Sequence, residues 1–185
     1  LWRSSSQWIG GLFFLIFLIL LFSNKTFNYK MTNLTFSGDS NFKSEESTKN
    51  IILRIFIIYS FLSFFILVLL SISGIRLFNS LNLAMTLVSN GGFLPSDNLN
   101  EIINSNFQKI ILVLSLTFSL LNFYLIFNIF NKKILLTQHK EDFYLLFLAF
   151  ILIILIYFNN FDGLNLIISV ISSLANSGIT LLKTE

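Results

Sequence analysis

The chain has 185 residues; 55% are hydrophobic, 23 are Phe and only 11% are charged, where a typical soluble chain carries about 25% charged residues. Long runs nearly free of charge mark bilayer spans, so the composition reads as an integral membrane protein. There is no Cys, which excludes disulfides and Cys-based metal sites, and a net charge of +3 reports loop orientation in such a chain rather than nucleic-acid binding.

The chain opens on "LWRSSSQWIGG" without a starting Met and reads as part of a longer protein. The first apolar run, "WIGGLFFLIFLILLF" at 8–22, has no small-residue cleavage site after it, so it is expected to be a span rather than a signal peptide. Three further spans are expected at 51–73, 107–130 and 143–158. Each is near the roughly 20 residues a bilayer crossing needs. Two apolar segments, 77–88 and 164–175, are too short to cross and suit re-entrant helices. Each ends in small polar residues and Gly, "VSNGG" and "LANSG".

Lysines set the expected orientation. The loops 24–50 and 131–142, with Arg54, hold 8 basic residues, and the opposite side holds Arg3, Arg76, Lys109 and Lys183. That bias puts both loops in the cytoplasm and opens the short helices to the outside. The expected units are a last span of an upstream unit (1–23), a cytoplasmic loop (24–50), a span–short helix–span unit (51–131), a second cytoplasmic loop (132–142), and a final span and short helix (143–185). A shift of 87 residues lays Gly91 on Gly178, Thr86-Leu87 on Ser173-Leu174, and the second span on the fourth. Weak internal repeats of this kind are common in transporters.

Non-helical backbone is tolerated at membrane depth only where it is buried in protein or lines a water-filled cavity. A half-helix leading to a glycine turn therefore reads as a pore helix and filter. Backbone carbonyls there can replace the hydration shell of a cation, and the negative end of the helix dipole favours one. The expected filter residues are Ser89, Asn90, Gly91 and Gly92 in the first turn and Asn176, Ser177 and Gly178 in the second. Gly91 is expected to take a backbone angle open chiefly to glycine. The third span carries polar positions at Ser115, Thr117, Ser119 and Asn122; Ser and Thr in a span often bond back to their own helix or pack between helices.

The residues carry a resemblance at this point. "TLVSNGGFLPSD" (86–97) resembles the third filter of the Trk/Ktr/HKT superfamily of potassium transporters, in the positions Thr86, Ser89, Gly91, Gly92, Phe93 and Asp97. "SLANSGI" (173–179) resembles the fourth filter. "WRSSSQWIGGL" (2–12) resembles the outer span of the second unit through Arg3, Gln7, Trp8, Gly10 and Gly11, and "SLLNF" (119–123) the middle of the third unit's second span. In that family this span is broken mid-membrane by a loop that gates the pore, so the resemblance implies a gate at Ser115, Thr117, Ser119 and Asn122. The chain departs from the pattern at Asn90 and at Leu94-Pro95. It begins after the second filter's place and stops after the fourth, so it presents two of the four filters a complete pore needs. The resemblance to a TrkH-type membrane subunit implies an all-α fold of repeated span–pore-helix–span units, in part. It also implies potassium uptake across the cell membrane, with the ion as substrate and no cofactor. It further implies a multi-pass plasma-membrane location (a bacterial inner membrane), a homodimer, and a cytosolic ring of nucleotide-binding regulatory subunits.

The bland alternative is a multi-pass membrane scaffold or a membrane-embedded enzyme. Against an enzyme, the chain has one His, His139 beside Lys140, and no acidic pair deep in a span. Glu141-Asp142 sits at a boundary, where a solvated pair is ordinary. Asn24-Lys25-Thr26 and Asn33-Leu34-Thr35 match a glycosylation pattern, but on the expected cytoplasmic side. Arg3 and Arg76 read as interfacial anchors.

Overall fold

The computed structural model describes residues 1–23, 48–96, 99–121, 140–157 and 163–181. Most of both expected cytoplasmic loops lies outside the described residues. So do Asn122 of the candidate gate, Asp97 of the filter resemblance, His139, Lys183, and the two glycosylation-like sites at Asn24 and Asn33.

Among the described residues the protein is helical, with no strand. The order is α1 (Trp2–Ser23), α2 (Thr48–Ile72), α3 (Leu77–Ser89), one 3-10 turn (Leu99–Glu101), α4 (Asn106–Leu120), α5 (Lys140–Tyr157) and α6 (Gly163–Leu174). Of the four expected spans, α2 is the one described helix long and apolar enough to cross a bilayer, over Ile52–Ile72, and only 33% of its most apolar stretch is buried. A core helix of a soluble protein would bury most of such a surface. Here Phe56, Phe61 and Phe64 face outward, as do Phe13, Phe14 and Phe17 on α1 and Phe143, Phe147 and Phe150 on α5. An apolar exterior of this extent suits lipid.

Helices α1 and α5 run over the first and last of the expected spans, and the third is shorter than expected. α1 opens on Arg3-Ser4-Ser5-Ser6-Gln7, and these polar groups serve contacts to neighbouring helices or bond back: Ser4 Oγ donates to Asn82 Oδ1 at 2.9 Å, and Ser6 Oγ to the Trp2 carbonyl at 2.9 Å. α4 begins at Asn106 under a capping box, with Ser105 and Gln108 satisfying each other's backbone N–H groups. It ends at Leu120, well short of residue 130, because Leu121 turns to extended backbone (φ −65°, ψ 141°). The two short helices, by contrast, fall within a residue of the apolar segments expected for them.

Each short helix lies between longer ones. α3 packs on α1 and α2, and α6 packs on α4 and α5. The fully buried core joins the two groups through Ile66 and Leu70 of α2, Leu83 and Leu87 of α3, Leu112 and Leu116 of α4, and Ile168 of α6, with Ile179 just beyond it. A smaller joint fixes α1 to α2. The Trp8 and Tyr59 rings lie 5.2 Å apart, Tyr59 Oη donates to the Trp8 carbonyl at 3.1 Å, and Trp8 Nε1 donates to Ser63 Oγ at 2.7 Å. The outcome is two short helices fixed deep in the fold, each with its C-terminus leading into a turn.

Candidate functional site

Both short helices end on the same backbone pattern. After α3, Asn90 is left-handed (φ 52°, ψ 35°). Its N–H bonds to the Leu87 carbonyl at 3.3 Å, and the Gly91 N–H reaches back to Thr86 O at 3.0 Å. After α6, Asn176 is left-handed (φ 55°). Its N–H bonds to Ser173 O at 3.2 Å, and the Ser177 N–H reaches back to Ser172 O at 3.0 Å. A glycine with positive φ follows in each turn, Gly92 (75°) and Gly178 (65°). The closing bonds belong to the Schellman type of helix end, which favours Asn or Gly in the left-handed position.

This corrects two sequence expectations. The geometric partners are Asn90 with Asn176, Gly91 with Ser177, and Gly92 with Gly178, an offset of 86 rather than the 87 that laid Gly91 on Gly178. At the new offset Thr86 pairs with Ser172. Thr86 Oγ1 donates to the Phe93 carbonyl at 2.7 Å, while Ser172 Oγ accepts the Ile179 N–H at 2.6 Å. Each hydroxyl therefore ties the segment leaving its turn back onto its helix. Second, Gly91 is not among the glycines with positive φ; Gly92 is. Gly91 is small because something fills its space. A Cβ there would run into the Gln7 amide, whose Nε2 donates to the Gly91 carbonyl.

The two turns meet. A Cβ on Gly92 would stand 2.6 Å from the Ser177 carbonyl oxygen, so backbone passes backbone with no room for a side chain. Around the first turn, Ser89 Oγ bonds back to Met85 O at 2.8 Å, and Gly11 of α1 lets Tyr59 Oη and Ser89 approach where a Cβ would come within 2.8 and 3.2 Å of them. Arg3 lies over the Phe93 ring, 5.7 Å from its centroid. It therefore sits beside the turn.

The candidate gate residues separate. Ser115 is buried and its hydroxyl bonds back to Ile111 O at 2.9 Å. Thr117 Oγ1 bonds back to Leu114 O at 2.7 Å. Ser119 instead reaches the first turn: its hydroxyl lies 2.5 Å from Leu87 O and also against Asn90 Oδ1, and Asn90 Nδ2 lies 3.4 Å from the Ser119 carbonyl. A cavity of about 370 Å³ opens beside this contact, with Ser89, Asn90, Ser119 and Tyr59 as its polar lining and Phe14, Leu62 and Phe118 among its apolar walls. The structure thus brings Ser89, Asn90 and Ser119 together, and Gly92 with Ser177. It leaves Ser115 and Thr117 bonded within α4.

Chemically, the paired turns offer neutral oxygens: carbonyls, hydroxyls and side-chain amides. Among the described residues no group of three or more His, Asp or Glu side chains converges on a metal-sized space. Sequence reasoning missed the contacts of Gln7, Ser4, Tyr59 and Ser172, which join positions far apart in the chain or lie in an ordinary-looking helix. Only Gln7 had drawn notice, as part of the resemblance at 2–12.

No protein-family model matches the chain, and no solved structure does. Among curated proteins the chain is similar to an uncharacterized cation transporter of Methanocaldococcus jannaschii, 26% identical over 185 residues, which covers 97% of this chain and 37% of that relative. The chain thus spans well under half the length of the relative it matches.

Proposed function

We propose that the protein carries monovalent cations across a membrane, by a path that passes the paired turns at Ser89–Phe93 and Asn176–Ile179. The observation that carries this reading is the matched pair of short helices, each ending in a left-handed Asn and a positive-φ Gly, with the turns in backbone contact. Irregular backbone of this kind inside a lipid-facing fold needs a protein or aqueous surrounding. The C-terminal dipole ends of α3 and α6 both favour a cation at the turns. Neutral oxygens suit a singly charged ion, whereas Ca²⁺ is usually held by carboxylates. The name of the similar archaeal protein points the same way.

The finer reading follows the resemblance to the Trk/Ktr/HKT superfamily: repeated span–pore-helix–span units, potassium as the ion, and a multi-pass plasma-membrane protein with its basic loops inside. A homodimer on a cytosolic nucleotide-binding ring belongs to the same reading. The test is cation uptake by the full-length protein in cells that lack their own potassium uptake. Restored growth at low potassium, with potassium accumulation, is expected; no accumulation of any alkali cation at normal expression would overturn it. The orientation has its own check in this Cys-free chain. An impermeant thiol reagent should reach Ser96→Cys from outside intact cells and should not reach Ser47→Cys.

A further inference from the structure

One face of α1 is bound to the short helix α3 and its turn. Ser4 holds Asn82, Gln7 holds the Gly91 carbonyl, and Gly11 lies against Ser89. These positions repeat at helical spacing and form one stripe. Within it Gln7 is anomalous. Its Oε1 is buried with no hydrogen-bond partner among the described residues. A buried amide with one end unsatisfied costs free energy that Met or Leu would not, so packing alone does not account for it. Its other end lies directly on the first turn, and Gly91 has no side chain where Gln7 Cδ, Oε1 and Nε2 crowd in.

We propose that Gln7 is a positioning residue for cation selection. Its amide fixes the Gly91 peptide from the neighbouring helix, and residues 7 and 91 form a size-matched pair. With its carbonyl tied to Gln7, the Gly91 peptide cannot rotate freely, which sets the placement of the backbone entering Gly92 and meeting Ser177. This rests on the reading of the turns as a cation path.

The experiment uses the full-length protein in liposomes, with potassium and sodium uptake measured at matched protein content. Gln7→Met keeps the side chain's approximate volume, a change cores usually tolerate, but removes the donor. It should leave the protein folded and lower the potassium-to-sodium ratio by about fivefold or more, the scale of one lost buried hydrogen bond. Gly91→Ala should weaken apparent potassium affinity by about five- to thirtyfold through overpacking. Adding Gln7→Ala removes the clash and should restore most of that affinity, while the potassium-to-sodium ratio stays as low as for Gln7→Met. The proposal is overturned if Gln7→Met keeps the wild-type ratio, or if the double variant is no better than Gly91→Ala alone. Should Gly91→Ala fail to fold, the Gln7→Met ratio decides by itself. If the wild-type protein moves no alkali cation, the cation-path reading fails and the role of Gln7 falls with it. Wild-type uptake with an unchanged Gln7→Met ratio sinks the role of Gln7 alone.

Discussion

The two turns share a backbone and differ in what holds them. The first, Ser89–Phe93, is gripped from outside: Gln7 and Arg3 of α1 and Ser119 of α4 all bear on it. The second, Asn176–Ile179, is held from within, by the Ser172–Ser177 hydroxyl pair at 2.9 Å and the Ser172–Ile179 bond. Among the described residues, Gly178 has no atom within 4 Å of where its Cβ would be, while a Cβ on Gly92 would meet Ser177 O. One pattern of local bonds, with a hydroxyl tie in each turn, is thus supplemented by long-range side-chain contacts in the first and by the Ser172–Ser177 hydroxyl pair in the second.

The comparison breaks most easily at the glycines. Gly92→Ala should have the largest effect, because it combines left-handed backbone, about 1–2 kcal/mol for a side chain, with a clash against rigid backbone, about 1–3 kcal/mol as overpacking. Thermal unfolding in detergent should show the sum, and uptake should fall to background. If Gly92→Ala is no less stable than Gly178→Ala, the two turns do not touch as described.

Next in size is the hydroxyl tie. Ser172→Ala leaves the Ile179 N–H buried without its acceptor, at a cost of about 1–3 kcal/mol. Thr86→Val removes the corresponding donor from the carbonyl of Phe93, a residue 45% exposed, so about 0.5–1.5 kcal/mol is expected. A larger loss for Thr86→Val would reverse the claim that the second turn depends more on its own hydroxyls.

The smallest effects separate the candidate gate residues. Ser119→Ala removes the hydroxyl contacts of α4 with Leu87 and Asn90, leaving the Asn90 amide on the Ser119 carbonyl, and should change uptake rate, with a stability cost of about 1 kcal/mol or less. Ser115→Ala removes only a bond back to Ile111 and should leave the rate as it was. Equal rates for the two variants would return Ser119 to a packing role.

The legibility of these features in the sequence follows from their range. The short helices were readable because their apolar runs are too short to span and stop at small polar residues. The offset was misread by one because identical glycines attract an alignment, whereas the geometry is set by the left-handed asparagines Asn90 and Asn176. The end of α4 had no signal in the residues themselves, whose apolar run continues past Leu120; only the resemblance implied a break in this span, and the helix stops where Ser119 contacts a turn 29 residues earlier. The role of space at Gly91 was likewise invisible, since it depends on Gln7, 84 residues away. The capping box at Ser105–Gln108 was present in the sequence as S-x-x-Q and would have placed the start of α4 at Asn106 rather than residue 107.

The central claim, that cations pass at the paired turns, has a direct test in two glycines alike in everything but place. Gly74 and Gly178 both have positive φ, 88° and 65°, and among the described residues neither has an atom within 4 Å of where a Cβ would stand. Alanine at either should cost about 1–2 kcal/mol in stability through the same backbone strain. Gly178 lies in the second turn, and Gly74 lies between α2 and α3, at the opposite end of α3 from the first turn. The measurement is the potassium-to-sodium uptake ratio of the full-length protein carrying Gly178→Ala or Gly74→Ala, at equal membrane content. The account predicts a changed ratio for Gly178→Ala and the wild-type ratio for Gly74→Ala; the wild-type ratio in both would contradict it.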